Sequence, residues 1–353
     1  MKLTFRRFDL QLRHQWTIGR DLVQGEQGID IFPVVFVELV DRDGLTGIGE
    51  AAPSVRYGER PDDAVKFFQK VSPDQLSFAD LNGSFTYINA LSPKDFAAKG
   101  ALNIALQDGA ARHLGKPIYD ALGLGFTEKK HVTSFSIGID RPEMIREKVL
   151  AAAPYPILKL KVGSPQDKQN LAALREVAPK KKIRVDANES WKTKEEALRQ
   201  IEELAKDKLI EFVEQPMPAA TPMADWRWLR ERSPLALMAD ESYPSAKEIS
   251  KCTEWAHAVN VKLVKAGGIT GAYEALRAAR QAGLKTMIGC MIESSLLISA
   301  AAHLAELSDY LDLDGNILIK NDPYQGVSTK EGVMSFADAP EPTGLRVRNR
   351  GKL

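Results

Sequence analysis

Eight short apolar runs, each closing on a polar residue or a glycine, recur along the chain from His131 onward: VTSFSIGI, PILKLKVG, KIRVDAN, IEFVEQP, ALMADES, AVNVKLVKAGG, KTMIGCMIES and YLDLDG. Ser136, Lys161, Asp186, Glu214, Asp240, Lys265, Cys290 and Asp312 mark their ends, at intervals of 22 to 28 residues. A strand, a helix and two short loops need about that much chain, since a right-handed crossover unit takes ~30 residues with both strands included. Eight such beats, rich in β-branched residues and buried on both faces, predict an α/β fold of the (β/α)8 TIM-like barrel type over residues 126–325. An open doubly wound sheet is the competing architecture. It usually carries a glycine-rich phosphate turn, and no GxGxxG follows a strand here.

The chain before this rhythm reads differently. MKLTFRRFDLQLRH alternates apolar and polar residues and is expected to be a first strand, not a signal peptide. Ile31–Val40 and Thr46–Glu50 flank the turn Asp41–Gly44 as a hairpin. Arg60–Val71 and Ser92–Leu114 read as helices, giving a compact α+β unit that ends near Gly125. A length of 353 residues suits this arrangement of a barrel with an attached unit.

Composition narrows the function. The net charge is +1 and no basic run resembles a recognition helix, which argues against nucleic acid or an anionic membrane as partner. Two cysteines, Cys252 and Cys290, cannot build a disulfide framework, and no apolar run reaches the ~18–20 residues that span a bilayer. A soluble cytoplasmic protein is the expectation.

Active sites of such barrels lie at the carboxyl ends of the strands. Here Asp186, Glu214 and Asp240 end three consecutive strands and converge on one arc of the mouth. Singly, each acid could cap a helix or pair with a lysine. Together they would repel unless a cation sat among them, and an all-oxygen set without histidine or cysteine favours Mg²⁺ before Mn²⁺ or Ca²⁺. Lys161 ends the second strand and Lys265 the sixth, four strands apart, so the two would face each other across the mouth. Lys159 shares the face of Lys161. On a sixth strand running through Lys265, Lys262 has the opposite parity and is expected at the surface or against a helix. Either catalysis or a structural ion pair accounts for each lysine alone. Asp312 and Asp314 share a face of the eighth strand, across from the acidic arc. They suit the ammonium of an amino-acid derivative or short peptide, or are a solvated acid pair before Gly315.

KLKVG (Lys159–Gly163), RVDANESW (Arg184–Trp191), EFVEQP (Glu211–Pro216), ADES (Ala239–Ser242) and KLVKAGG (Lys262–Gly268) together resemble the muconate-lactonising-enzyme subgroup of the enolase superfamily. GIGEAAP (Gly47–Pro53) and Gly100–Gly123 are similar to parts of that family's capping domain. The resemblance thus implies a capping domain over 1–125, completed by the C-terminal segment 326–353. It also implies one Mg²⁺ per subunit on Asp186, Glu214 and Asp240, and a substrate carboxylate polarised by that metal and by Lys159. Lys161 and Lys265 would then remove and return the α-proton on opposite faces, through an enediolate. Asp312–Asp314 looks like the DxD of dipeptide epimerases, where the two acids hold the free amino group. Members of that group interconvert L-Ala-D-Glu and L-Ala-L-Glu, which makes an isomerase acting on L-Ala-D/L-Glu or a related L-Ala-L-Xaa dipeptide the expected activity.

The resemblance carries over less directly to other positions. TIGR (Thr17–Arg20) is similar to a capping segment whose arginine meets the glutamate side chain, and Ser136 and Cys290 join the expected substrate contacts. Asn188 and Glu241 could orient the metal carboxylates, or cap the helices that follow. A homo-oligomer is compatible with all of this. The alternatives are an o-succinylbenzoate synthase or cycloisomerase with the same machinery, whose substrates lack an ammonium for Asp312 and Asp314. More distant are a Schiff-base lyase using Lys161 or Lys265 as nucleophile, and a non-catalytic metal-stabilised scaffold.

Overall fold

The computed structural model describes residues 1–25 and 28–351. The chain opens with an antiparallel sheet of β1 (Lys2–Trp16), β2 (Ile29–Val40) and β3 (Thr46–Ala51). Asp41 sets the hairpin between β2 and β3: its Oδ1 accepts the amides of Asp43 at 3.0 Å and Leu45 at 2.8 Å. Helix Phe96–His113 lies directly on β3. The approach is close enough to require glycine, since a Cβ on Gly47 or Gly49 would stand 2.0 Å from the carbonyl oxygen of Ala105 or Ala101. A helix over Leu81–Ala90 also forms, although LNGSFTYINA has poor helical propensity; Asp80 starts it by accepting the amide of Gly83.

Eight parallel strands follow: β4 (Phe135–Ile137), β5 (Ile157–Lys161), β6 (Lys182–Asp186), β7 (Ile210–Glu214), β8 (Ala236–Ala239), β9 (Ala258–Lys262), β10 (Lys285–Gly289) and β11 (Tyr310–Asp312). Each pairs with the next in sequence order. The amide of Ser134 donates to Leu311 O at 3.1 Å and brings the last strand back to the first. This is the expected barrel with helices outside it and an N-terminal cap.

The barrel interior is layered. Phe212, Met238, Ala258 and Met287 form a small apolar cluster separate from the main core, with Ala236 and Tyr310 against it. The Arg184 guanidinium packs between the rings of Phe212 and Tyr310, at 5.8 and 5.0 Å, and donates to Leu311 O at 2.6 Å. One step further toward the carboxyl ends, the inward positions change to Lys161, Asp186, Glu214, Lys262 and Asp312. Apart from Arg184 the filling below is apolar, and the ionisable side chains gather above it at the carboxyl ends of the strands.

Cap and barrel are tied by buried acids. Asp108 on helix Phe96–His113 accepts the amides of Ile48 at 3.1 Å and Leu345 at 2.7 Å, joining β3, the helix and the C-terminal segment. Glu50 on β3 accepts Ser294 N at 3.0 Å and Leu297 N at 3.3 Å, which caps the barrel helix Ser295–Ala302. Burial pushes the Glu50 carboxyl up to about 7, against the pull of those hydrogen bonds. Among the described residues, no helix is long and apolar enough to cross a membrane.

Candidate active site

Asp186, Glu214 and Asp240 end β6 and β7 and follow β8, and all three are fully buried. One oxygen from each lies within 4.8 Å of the others. The set contains only carboxylate donors, the chemistry of a site for a hard cation. Glu214 Oε2 makes no hydrogen bond, although Lys159 Nζ approaches it to 2.8 Å. That ammonium also stands 3.0 Å from Asp186 Oδ2, so one positive charge already lies against two of the three carboxylates. The residues therefore fit Mg²⁺.

Hydrogen bonds fix the three acids. The backbone amide of Asn188 donates to Asp186 Oδ1 at 2.9 Å, and Asn260 Nδ2 donates to Glu214 Oε1 at 2.8 Å. Gly289 faces Asn260 across β9 and β10, where a Cβ would come within 2.5 Å of its amide oxygen. Gln215 Oε1 accepts the amides of Asp240 at 3.0 Å and Ser242 at 3.1 Å. The chain passes through left-handed conformations at Asn188 (φ 44°), Glu189 (φ 67°) and Gln215 (φ 36°). Three such residues beside the carboxylates mark a backbone held in place by its surroundings.

The electrostatics divide the acids. Burial alone would raise Asp186, but Lys159 and Lys161 outweigh it and hold the carboxyl down to about 2. Asp240 is likewise held well below its ordinary value, by Lys262, Lys265 and Lys159 against burial. Glu214 lacks that surplus of amines, and burial beside Asp186 pushes it up to about 7. Burial and the neighbouring Asp312 push Asp314 up to about 7.

A cavity of about 180 Å³ lies between the barrel mouth and the cap. Lys159, Lys161, Ser136, Cys290, Asp312, Asp314, Asn188, Glu241 and Arg20 line it. Trp16, Ile18, Phe32 and the loop residues Val55, Arg56 and Tyr57 come from the cap. Lys161 Nζ donates to Asp186 Oδ2 at 2.7 Å. The amine that faces it is Lys262, which lines the cavity and donates to Asp240 Oδ2 at 2.8 Å.

The placement of Lys262 corrects the sequence-based expectation for Lys265. Strand β9 ends at Lys262, and Leu263–Ala266 turns into a short helix. Parity counted through Lys265 is therefore off by one, and Lys262 points inward with Asn260. Lys265 is buried outside the cavity lining, where its Nζ donates to Asp240 Oδ1 at 2.5 Å, Asp240 O at 2.7 Å and Asn260 O at 3.0 Å. It braces a ligand.

One open alternative falls away and one expected separation is narrower. Asn188 and Glu241 cap no helix; Thr193 and Ser245 cap the segments that follow, and Asn188 Nδ2 reaches toward Glu241 Oε1 at 3.4 Å. Asp312 does not stand apart from the acidic trio, because Lys159 spans the narrow mouth and donates to Asp312 Oδ2 at 2.6 Å. Ser134 Oγ donates to Asp312 Oδ1 at 2.7 Å, and the amide of Ser136 to Asp314 Oδ2 at 2.6 Å. Cys290 Sγ lies 3.8 Å from Asp314 Oδ1. Arg20 Nη1 is 3.7 Å from Glu189 and 3.9 Å from Glu241. Sequence reasoning missed Lys262, Asn260, Gln215 and Arg56. The alternation Asn260–Lys262 against Val259–Val261 was the available signal for the first two.

Comparison with known proteins places the chain in a family. Residues 143–329 match the family model described as enolase C-terminal domain-like. The chain is 59% identical over 348 residues to the L-Ala-D/L-amino acid epimerase of Pedosphaera parvula, covering 99% of both chains. The chain belongs to the dipeptide epimerases of the enolase superfamily. It is 38% identical to the L-Ala-D/L-Glu epimerase of Bacteroides thetaiotaomicron, over 96% of this chain and 86% of that one. In solved structures of this superfamily the same fold recurs. The substrate-liganded L-Ala-D/L-Glu epimerase from Bacillus subtilis aligns with a TM-score of 0.89 at 28% identity, over 99% of this chain and 98% of that one. The dipeptide epimerase from Enterococcus faecalis, complexed with Mg and L-Leu-L-Tyr, aligns with a TM-score of 0.88 at 28% identity, over 99% of both chains.

Proposed function

We propose that this chain is a Mg²⁺-dependent isomerase that inverts the α-carbon of the C-terminal residue of a dipeptide, L-Ala-D/L-Glu or a related L-Ala-L-Xaa. The observation that carries this reading is the pair Lys161 and Lys262. They stand on β5 and β9, four strands apart, each against a different carboxylate of one acidic trio and both on one cavity. An α-carbon above that trio has one amine on each face, the geometry that inversion by proton removal and return requires.

Asp186, Glu214 and Asp240 would hold the ion. When bound, Mg²⁺ supplies positive charge at the substrate carboxylate and so acidifies the adjacent C–H bond. Lys159 adds a second positive charge at the same carboxylate. One of Lys161 and Lys262, as the free amine, takes the α-proton onto Nζ. The other, as the ammonium, donates a proton to the opposite face of the planar carbanion. Asp312 and Asp314 receive the peptide ammonium, with Ser136 and Cys290 at their sides.

Buried acids at that end favour this reading over a synthase or cycloisomerase whose substrate carries no ammonium. A Schiff-base lyase would leave the three carboxylates idle. Two free cysteines suit a reducing compartment, in keeping with a cytoplasmic enzyme. The test is incubation of the Mg²⁺-loaded protein with L-Ala-L-Xaa dipeptides in D₂O. Deuterium at the C-terminal α-carbon, accompanied by the epimer, is the expected result, and no exchange with any dipeptide rejects the reading.

A further inference from the structure

The planar carbanion leaves its side chain one direction. Lysines occupy both faces, the carboxylate points to the acidic trio and the amide nitrogen to Asp312 and Asp314. The remaining in-plane direction leads to the cap, where Arg20 and Arg56 line the cavity. Both guanidiniums are tied to one carboxylate. Glu189 accepts from Arg56 through both oxygens, with Arg56 Nη2 at 2.5 Å from Oε1, and lies 3.7 Å from Arg20 Nη1. Its Oε1 also accepts the amide of Ala219 at 2.8 Å, and its own amide donates to Gln215 O at 2.9 Å. Glu189 is thus buried and held from both main chain and side chain. Asp21 on the same lining adds a further negative charge beside Arg20. The rest of this rim is largely apolar, with Ile18, Ile29, Phe32 and Val55 beside Ser54 and Tyr57, and Val55 is 66% and Ile29 40% exposed.

We infer that Glu189 is a specificity-determining residue. By holding Arg20 and Arg56 it offsets, together with Asp21, the positive field that would attract an acidic side chain, and the largely apolar rim then selects a neutral side chain on the residue being inverted. Glu189 acts through the two arginines and touches no reacting atom. The inference rests on the dipeptide-epimerase reading above.

The test compares L-Ala-L-Glu with its neutral isostere L-Ala-L-Gln, by rates of α-proton exchange in D₂O with the Mg²⁺-loaded enzyme. The unmodified enzyme is expected to favour L-Ala-L-Gln in kcat/KM. Glu189→Gln should move the ratio toward L-Ala-L-Glu by about tenfold or more, chiefly through KM, as removal of one charge at the edge of a partly dry cavity implies. Glu189→Asp keeps the charge and should stay near the original ratio. A uniform fall for both substrates, with the ratio unmoved in Glu189→Gln, overturns the inference. So does an unmodified enzyme that favours L-Ala-L-Glu, a result that stands even if the variant does not fold. No exchange with any dipeptide would instead overturn the epimerase reading itself.

Discussion

Lys262 Nζ lies 2.8 Å from Asp240 Oδ2, and across the mouth Lys161 Nζ lies 2.7 Å from Asp186 Oδ2. In the proposed reaction each amine is aimed by a carboxylate that would also hold the ion, so proton transfer and charge stabilisation would share side chains and a change in one would be felt by the other.

Lys262→Ala should lower turnover by about 10² to 10⁴-fold, the usual contribution of a positioned acid or base. Magnesium affinity, followed by calorimetry, should not fall, because the substitution removes a cation that competes for Asp240. Loss of Mg²⁺ binding in step with activity would make Lys262 structural.

Lys265→Ala should behave differently. It strips a fully buried partner from the Asp240 carboxylate and leaves the Asp240 and Asn260 carbonyls one donor short. A stability loss of about 3–5 kcal/mol is expected, as for breaking a buried pair, and is read by chemical denaturation. An unchanged unfolding midpoint would contradict this bracing role.

Asn260→Ala removes the hydrogen bond that fixes Glu214 Oε1. Magnesium affinity should weaken about 10–100-fold, the usual cost of losing a ligand's supporting hydrogen bond. The activity deficit should shrink as Mg²⁺ is raised, and a deficit independent of Mg²⁺ would count against the assignment.

Glu50 links cap to barrel and has a pH signature. Its folded-state carboxyl sits at about 7, above the 4.5 of the unfolded chain. A group raised on folding gives its full stabilisation below the unfolded value and loses it as pH rises through the folded value. Between pH 4.5 and 7 the contact should therefore weaken by about 3 kcal/mol, at 1.36 kcal/mol per pKa unit. Glu50→Gln does not titrate, so its stability relative to the unmodified protein should rise across that window in thermal unfolding. A constant difference would show that Glu50 is not raised.

Much of this was legible in the chain. The barrel followed from the recurrence of strand ends, and the acidic trio from three carboxylates in consecutive beats, because inward parity at a strand end is a local property. The error over Lys262 and Lys265 arose where the local pattern is ambiguous. NVKLVK reads equally as a longer strand or as a strand turning into a helix, and only packing of Leu263 and Val264 into the core decides between them. Arg56 was invisible for another reason. Its loop, residues 54–58, has no periodicity, and its partner Glu189 lies 133 residues away in sequence. The part of the cap that lines the cavity depends on such long-range contacts.

Lys161 and Lys262 are proposed to serve opposite faces of one carbon. This assignment is tested most directly by α-proton exchange in D₂O with each epimer of a single L-Ala dipeptide, using Lys161→Ala and Lys262→Ala. Neither variant should interconvert the epimers, and the exchange each retains should be confined to one epimer, a different one for each variant. Normal interconversion by Lys262→Ala, or the same epimer exchanging in both variants, would contradict it.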